Sequence, residues 1–77
     1  MTPCCLCGGS ASVILLTETP TDAQGLLCAL VCSHHKREVG YLLMSRDHPL
    51  VVLPINALSD IRTLRGAVIW ELHHSAS

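Results

Sequence analysis

Two short pairs of cysteine and histidine residues constrain this chain more than any other feature of its sequence. The first pair, Cys4 and Cys7, lies in PCCLCGG, and the second pair, Cys32 and His35, lies in LVCSHH. Two residues separate the members of each pair, a spacing at which both side chains can reach one metal ion. Because structural zinc is held by four such ligands, the sequence predicts one zinc ion bound by Cys4, Cys7, Cys32 and His35.

The residues around each pair favour this geometry. Gly8 and Gly9 follow the first pair, and glycine permits the positive φ angles of a tight knuckle whose backbone N–H groups turn toward the sulfur atoms. The second pair lies where a predicted strand meets a predicted helix, and the N–H groups of a first helical turn stabilise a thiolate. Residues 8–31 can form a hairpin that folds the knuckle back onto the helix start.

His34 and His35 compete for the fourth ligand position. On the predicted helix, His35 shares a face with Val39, Leu42 and Leu43, at the i, i+4, i+7 and i+8 positions. His34 falls about 100° further round the helix. We therefore expect His35 to face the metal and the core, and His34 to be exposed.

Cys28 is the main rival ligand. Positions 28, 30 and 32 share one face of the predicted second strand, so Cys28 can approach the site. A buried free cysteine more often packs as a small apolar residue.

Cys5 lies inside the knuckle, where the backbone turns it away from the ion. A redox C-x2-C pair normally follows a strand and opens a helix, whereas Gly8 and Gly9 follow this pair.

The small aliphatic core of this chain indicates that it needs an additional source of stability, such as a metal ion. Its 77 residues include no Phe, one Tyr and one Trp, and chains of this size commonly need a metal, a disulfide or a partner for stability. No secretory signal pattern is visible at the N-terminus, so we expect a cytoplasmic protein with reduced thiols, which favours metal ligation over disulfides. The apolar fraction of 49% and the mean hydropathy of +0.44 indicate apolar surface in an interface.

The hydrophobic patterns predict an α+β fold and a single domain, residues 1–77. We expect a hairpin and a helix, followed by a strand, a short helix and a final strand. Prolines bracket the third strand, which suits the edge of a sheet. The predicted elements are strands at 12–19 and 26–32, a helix at 33–46, a strand at 49–55, a helix at 56–66 and a strand at 67–74.

The knuckle CCLCGG, the predicted hairpin and the helix start CSHH together resemble a treble-clef zinc finger. The resemblance covers residues 4–43 and leaves the strand-helix-strand part, residues 49–74, without a counterpart. It implies a structural Cys3His zinc site. It does not select a function, because fingers of this type bind nucleic acids, bind proteins or support nuclease chemistry.

Catalytic motifs do not accompany the zinc ligands. The H-E-x-x-H pattern of metalloproteases and the paired H-x-E and P-C-x-x-C patterns of deaminases are absent, so we expect that the protein is not an enzyme. The alternative function is nucleic-acid binding in a transcription-related role. It would use basic residues that alternate with acidic ones and lack stacking aromatics. These residues are Lys36, Arg37, Arg46, Arg62 and Arg65.

We therefore expect a zinc-stabilised protein-interaction module, a small regulator or inhibitor of a larger protein. Its expected contact surface includes the apolar residues of PLVVLPI and AVIWEL in the C-terminal third. The alternation in AVIWEL puts Val68, Trp70 and Leu72 on one strand face. Tryptophan is a frequent energetic anchor of interfaces. Together with Ile69, these three residues would also serve a homodimer.

Overall fold

Four strands, two α-helices and one 3-10 turn form the described part of the chain in a computed structural model. The structure describes residues 2–18, 25–44, 50–66 and 68–73. The elements are, in order, β1 Val13–Glu18, β2 Leu26–Val31, α1 Lys36–Leu43, β3 Val51–Pro54, the 3-10 turn Ile55–Ala57, α2 Leu58–Arg62 and β4 Ile69–Leu72. The predicted α+β class and the predicted order of elements are confirmed.

One mixed sheet joins these strands in the order β3-β1-β2-β4. β1 and β2 form the expected antiparallel hairpin, from Val13 opposite Val31 to Glu18 opposite Leu26. β1 also pairs antiparallel with β3, whereas β4 runs parallel to β2. Within the described residues, β3 and β4 are therefore the edges of the sheet, and the edge position predicted for the proline-flanked third strand is confirmed.

Gly25 allows β2 to begin directly beside β4. The Leu26 N–H donates to the carbonyl oxygen of Val68 over 2.8 Å. Gly25 has a φ of 137°, and a Cβ added there would collide with that same oxygen. Both the backbone conformation and the space exclude a side chain, so the parallel pairing of β2 with β4 depends on this glycine.

Strand alternation divides the core into two clusters, one on each face of the sheet. We call these faces the α1 face and the α2 face, after the helix that packs on each. The α1-face cluster comprises Cys4, Leu15, Ala29, Val31, Cys32 and Val39, and the α2-face cluster comprises Ile14, Cys28, Leu30, Leu58 and Ile61. β2 supplies both clusters because it lies in the middle of the sheet.

The first helix is shorter than predicted and presents a different face. It begins at Lys36, after a turn that ends at its N-cap residue, His35. Val39 and Gly40 are buried, whereas Leu42 is 69% exposed. The placement of Leu42 in the core was wrong, because its position points about 100° away from the centre of the buried arc of this short helix.

The second helix is also short. It buries Leu58 and Ile61 and ends at Arg62, so Leu64, which continues their threefold spacing in the sequence, is exposed beyond its end. Arg62 donates two hydrogen bonds, of 2.9 and 2.7 Å, to the carboxylate of Glu71 in β4. This bidentate pair ties α2 to the edge strand. In the described part of the chain, neither helix is long and apolar enough to cross a bilayer.

Candidate metal centre

The first ligand pair lies in a tight turn, which we call the knuckle (residues 4–9). Gly8 has a φ of 79°, and its N–H donates to the carbonyl oxygen of Cys4 over 2.9 Å. The turn directs two further N–H groups to sulfur. Leu6 donates to Cys4 Sγ and Gly9 donates to Cys7 Sγ, each over 3.4 Å. This is the geometry that the two glycines predict.

The second ligand pair lies in the turn between β2 and α1. The His35 N–H donates to the carbonyl oxygen of Cys32 over 3.2 Å, and the Val39 N–H donates to that of His35 over 3.0 Å. The turn brings Cys32 Sγ within 3.2 Å of His35 Nδ1. His34 lies in the same turn and is exposed, so His35 is the histidine that faces the other candidate ligands.

A backbone hydrogen bond docks the knuckle on the sheet beside the second pair. The Cys5 N–H donates to a carbonyl oxygen of β2 over 2.7 Å. Cys7 Sγ then lies 3.8 Å from Cys32 Sγ, and Cys4 Sγ lies 4.0 Å from His35 Nδ1. All four ligand atoms lie within 4.8 Å of one another. The fold therefore brings together the four residues that the spacing predicts.

These distances suit a tetrahedral zinc ion. With Zn–S bonds of about 2.3 Å, two sulfur ligands on a tetrahedral ion lie about 3.8 Å apart. Three thiolates and one imidazole nitrogen are donors that zinc prefers, and four protein ligands complete its coordination. The group can hold one metal ion, and its donor set fits zinc.

Hydrogen bonds favour the thiolate form of the two buried cysteines in this group. Burial acts to raise the pKa of Cys4, but backbone hydrogen bonds from Cys32, Cys7 and Leu6 outweigh it and lower that pKa to about 6. Burial likewise opposes ionisation of Cys32, whose pKa is nevertheless lowered by hydrogen bonds from the side chain and backbone of His35. The thiolate is the form that binds a metal, so the fold prepares both residues for that role.

Cys28 lies away from this group. β2 ends at Val31, so the strand alternation does not continue to Cys32, and Cys28 packs in the cluster on the α2 face. Burial, followed by the nearby charge of Glu71, raises the pKa of Cys28 to about 11. A protonated thiol is a poor metal ligand. Cys28 is therefore placed as a core residue, and Cys5 packs half-buried against the α1-face cluster.

Apart from the metal centre, β4 presents apolar side chains to solvent. Trp70 is 52% exposed, Val68 51% and Leu72 37%. We call these three residues the β4 face, and their common orientation is the one that the alternation predicts. Ile69, expected to belong to the same interface, instead packs against the α2-face cluster. Trp70 is thus a surface residue rather than the one large residue of the core.

Function is inferred from the geometry of the metal centre and of the exposed surfaces. The chain was compared with protein-family models, with curated proteins and with solved structures, and none of them matches it.

Proposed function

We propose that the protein is a zinc-stabilised protein-interaction module in which Cys4, Cys7, Cys32 and His35 hold one structural zinc ion. The convergence of their ligand atoms within 4.8 Å is the observation that carries the proposal. A zinc ion with four protein ligands has no open position for water or substrate. We therefore propose that its role is to stabilise the fold and not to catalyse a reaction.

The order of elements around the centre supports a treble-clef type of finger. The knuckle supplies the first two ligands, the β1–β2 hairpin follows, and the start of α1 supplies the other two. Such an ion would connect the N-terminal knuckle to the helix that covers one face of the sheet. In small zinc domains this connection contributes an apparent ~10–16 kcal/mol to folding.

The β4 face supports a role in protein binding. Trp70 and Leu72 lie on a strand at the edge of the sheet, and Val68 directly precedes that strand. Exposed apolar residues on an edge strand favour association, because a partner can bury the side chains and also pair with the strand. We propose that this face binds a larger protein, which the module regulates or inhibits, and that it also mediates self-association.

The basic residues favour a protein partner over a nucleic acid. Arg62 is bound to Glu71, and Arg65 follows the same helix, α2. Lys36 and Arg37 lie on α1, on the opposite face of the sheet. The described basic residues therefore do not form one continuous surface of the kind that follows a phosphate backbone. Arg46 lies outside the described residues.

Zinc content tests the first half of the proposal. Protein purified in reduced form, without an affinity tag and without chelators, should contain one equivalent of zinc per chain by elemental analysis. Protein that is folded and free of metal would overturn the zinc assignment.

Association of zinc-loaded variants tests the second half. Trp70→Ala should weaken self-association in sedimentation experiments and capture of a partner from the native host. Leu42→Ala is the matched control, because Leu42 is an exposed apolar residue on a different surface. Association that Trp70→Ala leaves unchanged would place the interaction elsewhere. Salt-sensitive binding to DNA or RNA would favour the alternative function.

A further inference from the structure

An open groove of about 570 Å³ lies between α1 and β3, on the α1 face of the sheet. α1 packs against β1 and β2, which leaves β3 uncovered beside the helix. Leu15, Leu50 and Val52 give the groove an apolar lining. Gly40 leaves room on the helical side of the groove, since an added Cβ would come no closer than 3.9 Å to Leu50 Cδ2.

The backbone of β3 offers hydrogen-bonding groups at the rim of this groove. The Ile55 N–H donates to a carbonyl oxygen just before β1, and hydrogen-bonded pairs alternate along an antiparallel ladder, so Val51 and Leu53 also face β1. The N–H and C=O of Val52 therefore point outward, and within the described residues no strand pairs with that edge. Pro54, at the next outward position, needs no N–H partner, as expected of an edge strand.

Positive charge borders the same groove. Lys36 and Arg37, in the first turn of α1, contribute to its lining, and no described carboxylate does. Within the part of the chain that the structure describes, neither cation has an ion-pair partner. An occupant of the groove should therefore be negatively charged as well as partly apolar.

We propose that the groove binds an extended acidic segment of a partner protein, which joins the sheet as an additional strand at the outer edge of β3. Main-chain hydrogen bonds to Val52 would hold the segment in register, and alternate side chains would cover the apolar lining. Asp or Glu side chains would pair with Lys36 and Arg37. This surface lies at the opposite edge of the sheet from the β4 face, so the inference goes beyond the function proposed above and does not depend on it.

Selection of random short peptides displayed on phage, against the full folded chain, tests the chemistry of the occupant. The enriched peptides should alternate apolar residues with Asp or Glu. Enrichment of peptides without acidic residues, or no enrichment, would overturn the proposal.

Substitutions then test the binding mode with one selected peptide, synthesised with a fluorescent label. Val52→Pro removes the outward N–H and leaves the hydrogen bonds of β3 to β1 in place. The double variant Lys36→Glu with Arg37→Glu reverses the charge of the rim. Each should raise the Kd of the peptide about tenfold or more, because like charges and lost main-chain pairing both disfavour the complex. Arg65→Glu, a charge reversal elsewhere, should leave the Kd unchanged.

Amide hydrogen exchange provides a readout that a merely structural effect would not reproduce. Peptide binding should slow exchange at Val52, whereas Val51, already paired with β1, should change less. A folded Val52→Pro variant that binds the peptide as well as the wild type would overturn the proposal. If Val52→Pro does not fold, Gly40→Leu fills the groove from α1 and should abolish binding. Retained binding of the peptide by Gly40→Leu would likewise overturn the proposal.

The same measurements separate this inference from the proposed function. Trp70→Ala should retain the peptide affinity of the wild type while it loses self-association. If the selected peptides instead bind at the β4 face and Trp70→Ala abolishes their binding, the β3 groove is not the site.

Discussion

Individual side chains decide whether the metal centre can form. His34 and His35 are neighbours in the sequence, yet only His35 directs its Nδ1 to Cys32 Sγ, at 3.2 Å. Its orientation follows from the turn in which its own N–H donates to the carbonyl oxygen of Cys32. His34 in the same turn is exposed. Adjacent histidines should therefore respond very differently to substitution.

His35→Ala should remove most of the bound zinc, whereas His34→Ala should leave it in place. Loss of a direct ligand should lower zinc affinity more than about 100-fold, the upper end of the loss seen when only a hydrogen-bonding partner of a ligand is removed. Competition with a coloured chelator measures both affinities. A larger loss in His34→Ala would show that the helix start is oriented differently.

Single elements of this fold owe their stability to different causes. α1 has eight residues and contains a glycine in its interior, Gly40, which packs toward Leu50. α2 has only five residues, too few for an isolated helix to be stable. Its position depends on the burial of Leu58 and Ile61 and on the pair between Arg62 and Glu71 in β4. A substitution in each helix should therefore change the stability for a different reason.

Gly40→Ala should stabilise the protein by about 1 kcal/mol, because alanine has the higher helix propensity. Its Cβ would lie 3.9 Å from Leu50 Cδ2, an ordinary van der Waals separation. Urea unfolding of the zinc-loaded protein measures the change in the free energy of unfolding. A decrease in stability would mean that the space between α1 and Leu50 is more tightly closed than this distance indicates.

Glu71→Gln should make stability less dependent on pH in the acidic range. The hydrogen bonds from Arg62 are the main cause that lowers the pKa of Glu71 below its usual value. A carboxylate whose pKa is lower in the folded state stabilises that state fully above its unfolded pKa, and the contribution is lost as the pH falls through the folded pKa. The wild type should thus lose stability relative to the variant as the pH falls below about 4.3, the usual pKa of a glutamate in an unfolded chain.

Urea unfolding at several pH values measures this difference. Acid also protonates the cysteine ligands and releases zinc, so both proteins are measured in excess zinc and compared only at pH values at which each still holds one equivalent. The effect should be smaller than that of truncating a buried side chain, because the pair is partly exposed to solvent. Identical pH profiles would show that the pair contributes no stability.

For the whole molecule, metal binding and folding should be a single process. The net stability of a domain is typically ~5–15 kcal/mol, and a structural zinc ion contributes an apparent ~10–16 kcal/mol. The free energy that a structural zinc ion contributes is therefore as large as the whole net stability of a typical domain. Cys4 and Cys32 also belong to the α1-face cluster, so loss of the ion should disturb the core as well as the knuckle.

Removal of zinc by a chelator, or the substitution Cys7→Ser, should abolish cooperative unfolding. Cys28→Ala is the control, since it removes a cysteine from the core without touching the proposed ligands. It should retain one equivalent of zinc and lose about 1 kcal/mol of stability. Circular dichroism and NMR dispersion report the fold in each case. A chelated chain that keeps a dispersed spectrum and unfolds cooperatively would contradict the coupling.

Local patterns in the sequence were enough to predict the elements and the two ligand pairs. The apolar runs, the alternation in β4 and the flanking prolines and glycines act over a few residues, so β1 to β4 appear close to their predicted positions. The knuckle and the turn before α1 are equally local. Each brings two ligand atoms together through its own backbone hydrogen bonds.

The relative orientation of these local elements depends on long-range contacts in the fold. Cys28 lies on the face opposite the metal centre because β2 ends one residue before Cys32, and Leu42 is exposed because it lies outside the arc of α1 that is buried. The groove exists because α1 lies over β1 and β2 and leaves β3 open. Local sequence patterns thus fix the type of each element and the pair of ligands that each turn presents. Which faces of these elements are buried and which are exposed depends on contacts between distant segments, and no local pattern encodes those contacts.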